Sequence, residues 1–291
     1  MSALDTAING YMDHLIKLIR DRQKPKADFL SYTGPIDPSI LDYFKNTVET
    51  LVASHDEADI DELFIILNTP GGSVEAVEKM AEIIRYHYKT VNFIVPDQAM
   101  SAGTIFCMSG DNIYMDYSSS LGPIDPQVMN NDGKWVPALG YLDMYERLID
   151  KSKDDTISGI EFARFQNIDL AELSRYEQAK ALSIELLRKW LVTYKFKDWN
   201  THNSSGNPVS IEEKQARAKK IGEQLIDNTK WKSHSRMISM QTLTDQLQLR
   251  IEDYSEDLDL RSLFSQYSEL VVEYMNQRNL PVLIHHLREA S

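Results

Sequence analysis

One cysteine, Cys107, stands in a chain of 291 residues, and that scarcity excludes an internal disulfide and a cysteine-built zinc site. It lies in the apolar segment "TIFCM", so a packing role in the interior is expected. Positive charge is also in short supply: 31 Lys and Arg face 44 Asp and Glu, a formal charge of −13. Such a surface repels phosphates, so no nucleic-acid partner is expected, and anionic membranes are disfavoured too. No uncharged apolar run is long enough to span a bilayer, and the N-terminal apolar stretch is interrupted by Asp5 and Asp13. These features read as a soluble, cytoplasmic protein without a signal peptide or membrane span. Nucleotide-binding glycine patterns are missing as well, because neither the lysine of a P-loop nor three spaced glycines of a dinucleotide fingerprint occurs. No cofactor is implied. No His, Asp or Glu pair has zinc spacing on a convincing helix, so no metal is expected.

What is present is enough apolar sequence, 42% of residues, for one large domain or a main domain with a helical extension. Apolar residues recur at helical spacing over about 1–20 and 38–54, with an extended, Pro-closed segment between them. The run "LFIIL" predicts a buried strand, 73–88 a helix and "VNFIV" a second strand, an order that implies a right-handed crossover and a parallel pair. A short helix at 103–110 and a strand in "NIYMDY" continue the alternation, which predicts a mostly parallel α/β core. Helical patterns at 139–153, 169–199, 209–228 and 257–279 follow. The organisation expected is an N-terminal helical segment over 1–30, an α/β core over 31–160 and a mainly helical region over 161–291. The pentapeptide "GPIDP" occurs at 34–38 and again at 122–126. Either chance or shared turn geometry produced it, or two related strand-end devices flank one site.

Chemistry concentrates in two turns. In "NTPGGSV" a strand ends at Asn68, Pro70 precedes Gly71 and Gly72, and a helix opens at Ser73. The exposed N–H groups of such a turn suit an anion, and if that anion forms only during a reaction, a nucleophile should stand nearby. The second turn, "QAMSAGT", supplies the candidate. Ser101 follows a strand, lies between small residues and opens a helix through Ala102, Gly103 and Thr104, the arrangement that presents a hydroxyl at the edge of a parallel sheet. The alternative is an ordinary helix N-cap.

The two turns together resemble the ClpP and crotonase superfamily. Within it the chain is similar to the signal peptide peptidase A-like branch, and most closely to the serine dehydrogenase proteinase family. The likeness is specific over about 60–130. It implies a spiral of β-β-α units with a mostly parallel sheet and a helical C-terminal layer or arm. It also implies that Ser101 is the nucleophile of a serine peptidase, that Gly72 and Ala102 supply the oxyanion-hole N–H groups, and that Gly71 keeps the turn open.

The resemblance leaves the base open. Where ClpP carries a histidine, this chain has "SSSLGPIDPQV", with no histidine and with Asp125 nearest. The Ser-Asp-His order of the serine dehydrogenase proteinases implies His234, in "KWKSHSRMI", as base and Asp125 as its orienting partner, with Asp116 or Asp227 as substitutes. A serine–lysine dyad would instead use Lys151 or Lys153, which must be neutral and therefore buried; the acids of "IDKSKDD" oppose that. His14, His55, His87, His202, His285 and His286 are given no chemistry.

The expected partner is an extended peptide or protein substrate along a sheet edge. Segments 173–199 and 209–228 are the candidate interfaces of a homo-oligomer, a closed ring or a smaller symmetric assembly. Two other readings stand beside the peptidase. One is a crotonase-like enzyme that uses the same N–H pair for an acyl-CoA enolate. The other is a scaffold that has lost its base.

Overall fold

The computed structural model describes residues 2–54, 60–125, 127–129, 133, 135–166, 168–202, 205–233 and 235–287. The strands are β1 (Asp28–Thr33), β2 (Glu62–Asn68), β3 (Thr90–Val95), β4 (Gln98–Ala99), β5 (Asn112–Met115), β6 (Ser120–Leu121), β7 (Gln127–Met129), β8 (Trp135–Pro137), β9 (Ile238–Ser239), β10 (Glu252–Asp253) and β11 (Leu283–His286). The α-helices are α1 (Ala3–Gln23), α2 (Leu41–Ala53), α3 (Val74–His87), α4 (Ala102–Met108), α5 (Ala138–Lys153), α6 (Gly159–Gln166), α7 (Leu170–Trp190), α8 (Ile211–Ile226), α9 (Asn228–Trp231), α10 (Met240–Asp245) and α11 (Leu258–Arg278).

The main sheet runs β10-β5-β3-β2-β1-β11, parallel throughout except for β11, which pairs antiparallel with β1. Both faces of the central strands are apolar, so side chains of alternating direction feed two cores. Leu63, Ile65 and Leu67 of β2 and Val91, Phe93 and Val95 of β3 join the core under α2, α3, α4 and α7. Phe29, Phe64, Ile66 and Ile94 face the other way, into a second core closed by α1 and α11. The chain's two ends thus complete the layer that the central sequence begins. Cys107 is fully buried in the first core, as its apolar segment predicts.

Local capping fixes where α3 begins. The Ser73 hydroxyl accepts the Ala76 amide, Glu75 occupies the first turn, and Arg85 and His87 the last, all in the sense favoured by the helix dipole. The pattern expected as one helix over 169–199 resolves into α7 and a π-helical turn, Leu191–Lys195. There the Arg85 guanidinium lies over the Tyr194 ring, 3.6 Å from its centroid, and pairs with buried Asp111 at 2.9 Å. This tertiary clamp holds the departure from α-helical winding against the sheet. Among the described residues no helix is long and apolar enough to cross a membrane.

Candidate active site

A second, smaller sheet sits beyond the C-terminal ends of β2 and β3 and carries the candidate site. β4 pairs parallel with β6, and β6 antiparallel with β9. The two chemistry-bearing turns are bridged to each other: the Thr69 amide donates to the Gln98 carbonyl and the Met100 amide to the Thr69 carbonyl, each at 2.9 Å. Gly71 consequently lies against Ser101. A Cβ on Gly71 would stand 2.6 Å from the Met100 oxygen and 2.9 Å from Ser101 Cβ, and its φ of +100° is open to glycine and few others. Gly72 is as constrained on its other side, where a Cβ would overlap the Ile36 carbonyl.

Ser101 has φ 52° and ψ −115°, outside the regions that L-residues normally occupy. Backbone strain of this kind is held only where surrounding contacts impose it, and it recurs at nucleophiles presented on strand-to-helix turns. Ser101 precedes α4 but its hydroxyl caps nothing there, so the ordinary N-cap alternative does not describe it. Instead the hydroxyl donates to the Asp125 backbone carbonyl at 2.9 Å, and the residue is only 1% exposed. The Asp125 main chain lies against it.

The backbone N–H groups around Ser101 divide sharply. Gly71 donates to Thr69 Oγ1 at 3.0 Å, Ser73 to the Ile36 carbonyl at 2.9 Å and Gly103 to the Met100 carbonyl at 2.8 Å. Among the described residues, the amides of Gly72 and Ala102 meet no acceptor. These are donors available to a developing negative charge.

Both copies of the repeated pentapeptide border this region. In the first, the Ile36 amide donates to Gly71 O, and the Ile36 carbonyl accepts from Ser73, gripping the glycine turn. In the second, Asp125 holds Ser101 through its carbonyl. Each copy also uses its aspartate on a following amide, Asp37 on Ser39 at 2.9 Å and Asp125 on Leu139 at 3.0 Å.

Thr69 and Thr104 are additional members that the sequence reading did not single out. Thr104 Oγ1 donates toward the Ala99 and Gly122 carbonyls at 2.8 and 2.9 Å and accepts the Gly122 amide at 3.0 Å, stitching α4 to Gly122. Both stand inside the quoted motifs, but their partners lie in turns that only the fold brings close.

His234 lies outside the described residues. Lys151 and Lys153 are solvent-facing and paired, with Glu161 and Asp150 respectively, not buried as a serine–lysine dyad requires. Asp116 opposes burial with hydrogen bonds from Ser118 and Ser119, which hold its carboxyl below the ordinary value, and it pairs with Arg261 at 3.2 Å. Asp227 accepts from Thr229 and Lys230 in its own turn. Among the described histidines, the one with the most enclosed partners is His285 on β11, whose ring nitrogens meet Tyr267 at 2.9 Å and Asp13 at 3.0 Å among α1 and α11. Among the described residues no group of His, Cys, Asp and Glu is placed to hold a metal ion.

An α/β fold with a mostly parallel sheet, a strained serine on a strand-to-helix turn and a glycine turn against it define the class of site. The family pattern coincides with it: residues 51–181 match the model of the ClpP-like SDH-type serine proteinases. The chain is 33% identical over 100 residues to the uncharacterized protein MJ1495 of Methanocaldococcus jannaschii, covering 34% of this chain and 32% of that protein. It is 37% identical over 94 residues to MJ0137 of the same organism, covering 32% and 31%, and 25% identical over 126 residues to the membrane protein NfeD1b of Bacillus subtilis, covering 42% and 29%. The chain thus spans about a third of the length of the curated relatives it matches. Among solved structures, a substrate-peptide complex of the 1510-N membrane-bound stomatin-specific protease aligns with a TM-score of 0.45 at 14% identity, covering 79% of this chain and 74% of that one. Another mutant of that protease gives 0.44 at 14% identity, with 79% of each chain covered.

Proposed function

We propose that the chain is a serine peptidase acting through Ser101. The observation that carries this reading is the pair of amides, Gly72 and Ala102, which meet no acceptor among the described residues and flank a serine held at φ 52°. The Ser101 oxygen attacks a peptide carbonyl and forms an Oγ–C bond. The two N–H groups stabilise the tetrahedral oxyanion, the C–N bond breaks, and the hydroxyl proton passes by way of the base to the leaving amine. Water then hydrolyses the acyl-enzyme. His234 is assigned as the base and Asp125 as its orienting partner, since Lys151 and Lys153 stand in charged, exposed pairs. Because Ser101 is buried and its hydroxyl is held by the Asp125 carbonyl, an extended peptide enters only when the Asp125 main chain moves aside. The assignment extends to a cytoplasmic, self-associating protein that needs no cofactor.

Labelling of the purified chain with a fluorophosphonate probe tests this. Wild type should be labelled, Ser101→Ala and His234→Ala should not, and Lys151→Ala and Lys153→Ala should behave as wild type. A wild-type chain inert to the probe would overturn the peptidase reading in favour of an acyl-CoA enzyme or a scaffold. Loss of labelling at a lysine and not at His234 would reassign the base.

A further inference from the structure

A groove of about 230 Å³ opens between α5 and α7, lined by none of the candidate-site residues. Its walls include Tyr141, Tyr145, Tyr176 and Met144, and two carboxylates, Asp169 and Glu172, stand among them. Tyr141 and Met144 are 49% and 53% exposed, so these side chains are spent on a surface and not on the core. The Tyr141 and Tyr176 rings lie 5.3 Å apart at 54°, and Tyr145 stacks on Phe165 at 5.6 Å. Glu172 accepts the Tyr176 hydroxyl and so fixes one wall. Asp169 accepts the Ala171 and Glu172 amides at the start of α7, and among the described lining residues there is no basic side chain, although Arg175 lies beside Tyr176.

Aromatic faces and carboxylates share one preference, a cation with an apolar stem. The cavity is the size for one long side chain, and a second copy of a chain carrying a charge of −13 would bring like charge to it. Its location narrows the source. Ser101 is bound to the Asp125 carbonyl, and the Asp125 carboxylate is bound to the Leu139 amide, so α5 starts beside the nucleophile and Tyr141 follows two residues later.

We propose that this groove is a second substrate subsite that takes an arginine or lysine side chain of the polypeptide whose carbonyl is presented to Ser101. The inference rests on the peptidase reading for the identity of the ligand, a polypeptide, but its test does not depend on turnover. The Ser101→Ala chain is titrated with a fluorescein-labelled, alanine- and leucine-based dodecapeptide carrying one arginine, and with the same peptide carrying glutamine instead. The arginine peptide should bind about fivefold more tightly, the order expected of an exposed cation–aromatic contact, and 0.5 M salt should shrink the difference. Glu172→Gln, which keeps a partner for the Tyr176 hydroxyl, and the exposed Tyr141→Ala should each remove most of the preference. Equal binding of the two peptides, or a preference that survives in both variants, would overturn the subsite. Fluorophosphonate labelling of the wild-type chain is read alongside: a labelled chain without arginine preference loses the subsite alone, and an unlabelled chain whose preference maps to the groove loses the hydrolase alone.

Discussion

Asp125 grips the candidate nucleophile with its main chain and the start of the next helix with its side chain. Its carbonyl accepts the Ser101 hydroxyl at 2.9 Å while its carboxylate accepts the Leu139 amide at 3.0 Å. The position of the main chain against Ser101 and the position of α5 are therefore set by one residue. An orienting role toward a base and a capping role toward α5 would both use that carboxylate, and substitution separates them.

Asparagine at this position keeps an acceptor for the Leu139 amide and removes the charge, whereas alanine removes both. With Asp125 orienting His234, Asp125→Asn should slow fluorophosphonate labelling roughly 100-fold or more with stability nearly unchanged. Asp125→Ala should slow it as much and also cost about 1 kcal/mol, as loss of a capping acceptor does. Labelling of Asp125→Asn at the wild-type rate would leave the carboxylate only its capping role.

The strain at Ser101 gives a stability prediction independent of chemistry. A non-glycine residue so far from the allowed regions costs on the order of 1–3 kcal/mol, and glycine there costs little. Ser101→Gly should therefore unfold at a higher temperature than Ser101→Ala, by a few °C, while neither is labelled. Identical melting temperatures would show that the turn relaxes in solution.

How much of this could be read from the residues follows from the range of the interactions. The "LFIIL" and "VNFIV" strands and the α3 face between them announce themselves by local pattern, and so do Gly71, Gly72 and Ser101, because turn chemistry is written within a few positions. The strands β10 and β11 do not: "ED" and "LIHH" are too short and too polar to show a period, and they join the main sheet through pairing with β5 and β1. The α1 stripe was visible, but its partner α11 lies more than 200 residues away along the sequence. Thr69 and Thr104 were invisible as positioning residues because a threonine in a turn carries no mark of the amide it will meet. The π-helical turn after Trp190 has neither glycine nor proline to signal it; Arg85 and Asp111, from a different part of the chain, fix it.

Thr69 offers a test of positioning without contact with substrate. Its buried hydroxyl is the acceptor for the Gly71 amide, and valine has nearly its shape. Thr69→Val should leave that amide without a partner at a cost of about 1–3 kcal/mol. It should slow acylation of Ser101 about tenfold as the glycine turn relaxes, with the probe's initial binding unchanged. A loss of probe binding at an unchanged acylation rate would assign Thr69 to the substrate surface.

Lys195, at the end of the π-helical turn, carries a pH dependence of defined sign. Burial lowers its pKa from 10.5 to about 8, against the opposing pull of Glu252 and Asp111, and its ammonium approaches the Asp111 carbonyl at 3.4 Å. Between those two values the unfolded chain binds more protons than the folded one, so this residue's contribution to stability rises with pH across that window. Below about pH 8 the folded protein bears the full penalty of a poorly solvated cation. Lys195→Met should therefore stabilise the chain near pH 7 by about 1–2 kcal/mol, the charge effect being discounted for the water that still reaches the side chain. The advantage over wild type should fade as the pH approaches about 10.5 in denaturant titrations. A gap that stays constant from neutral to alkaline pH would mean that the lysine titrates normally in the folded chain.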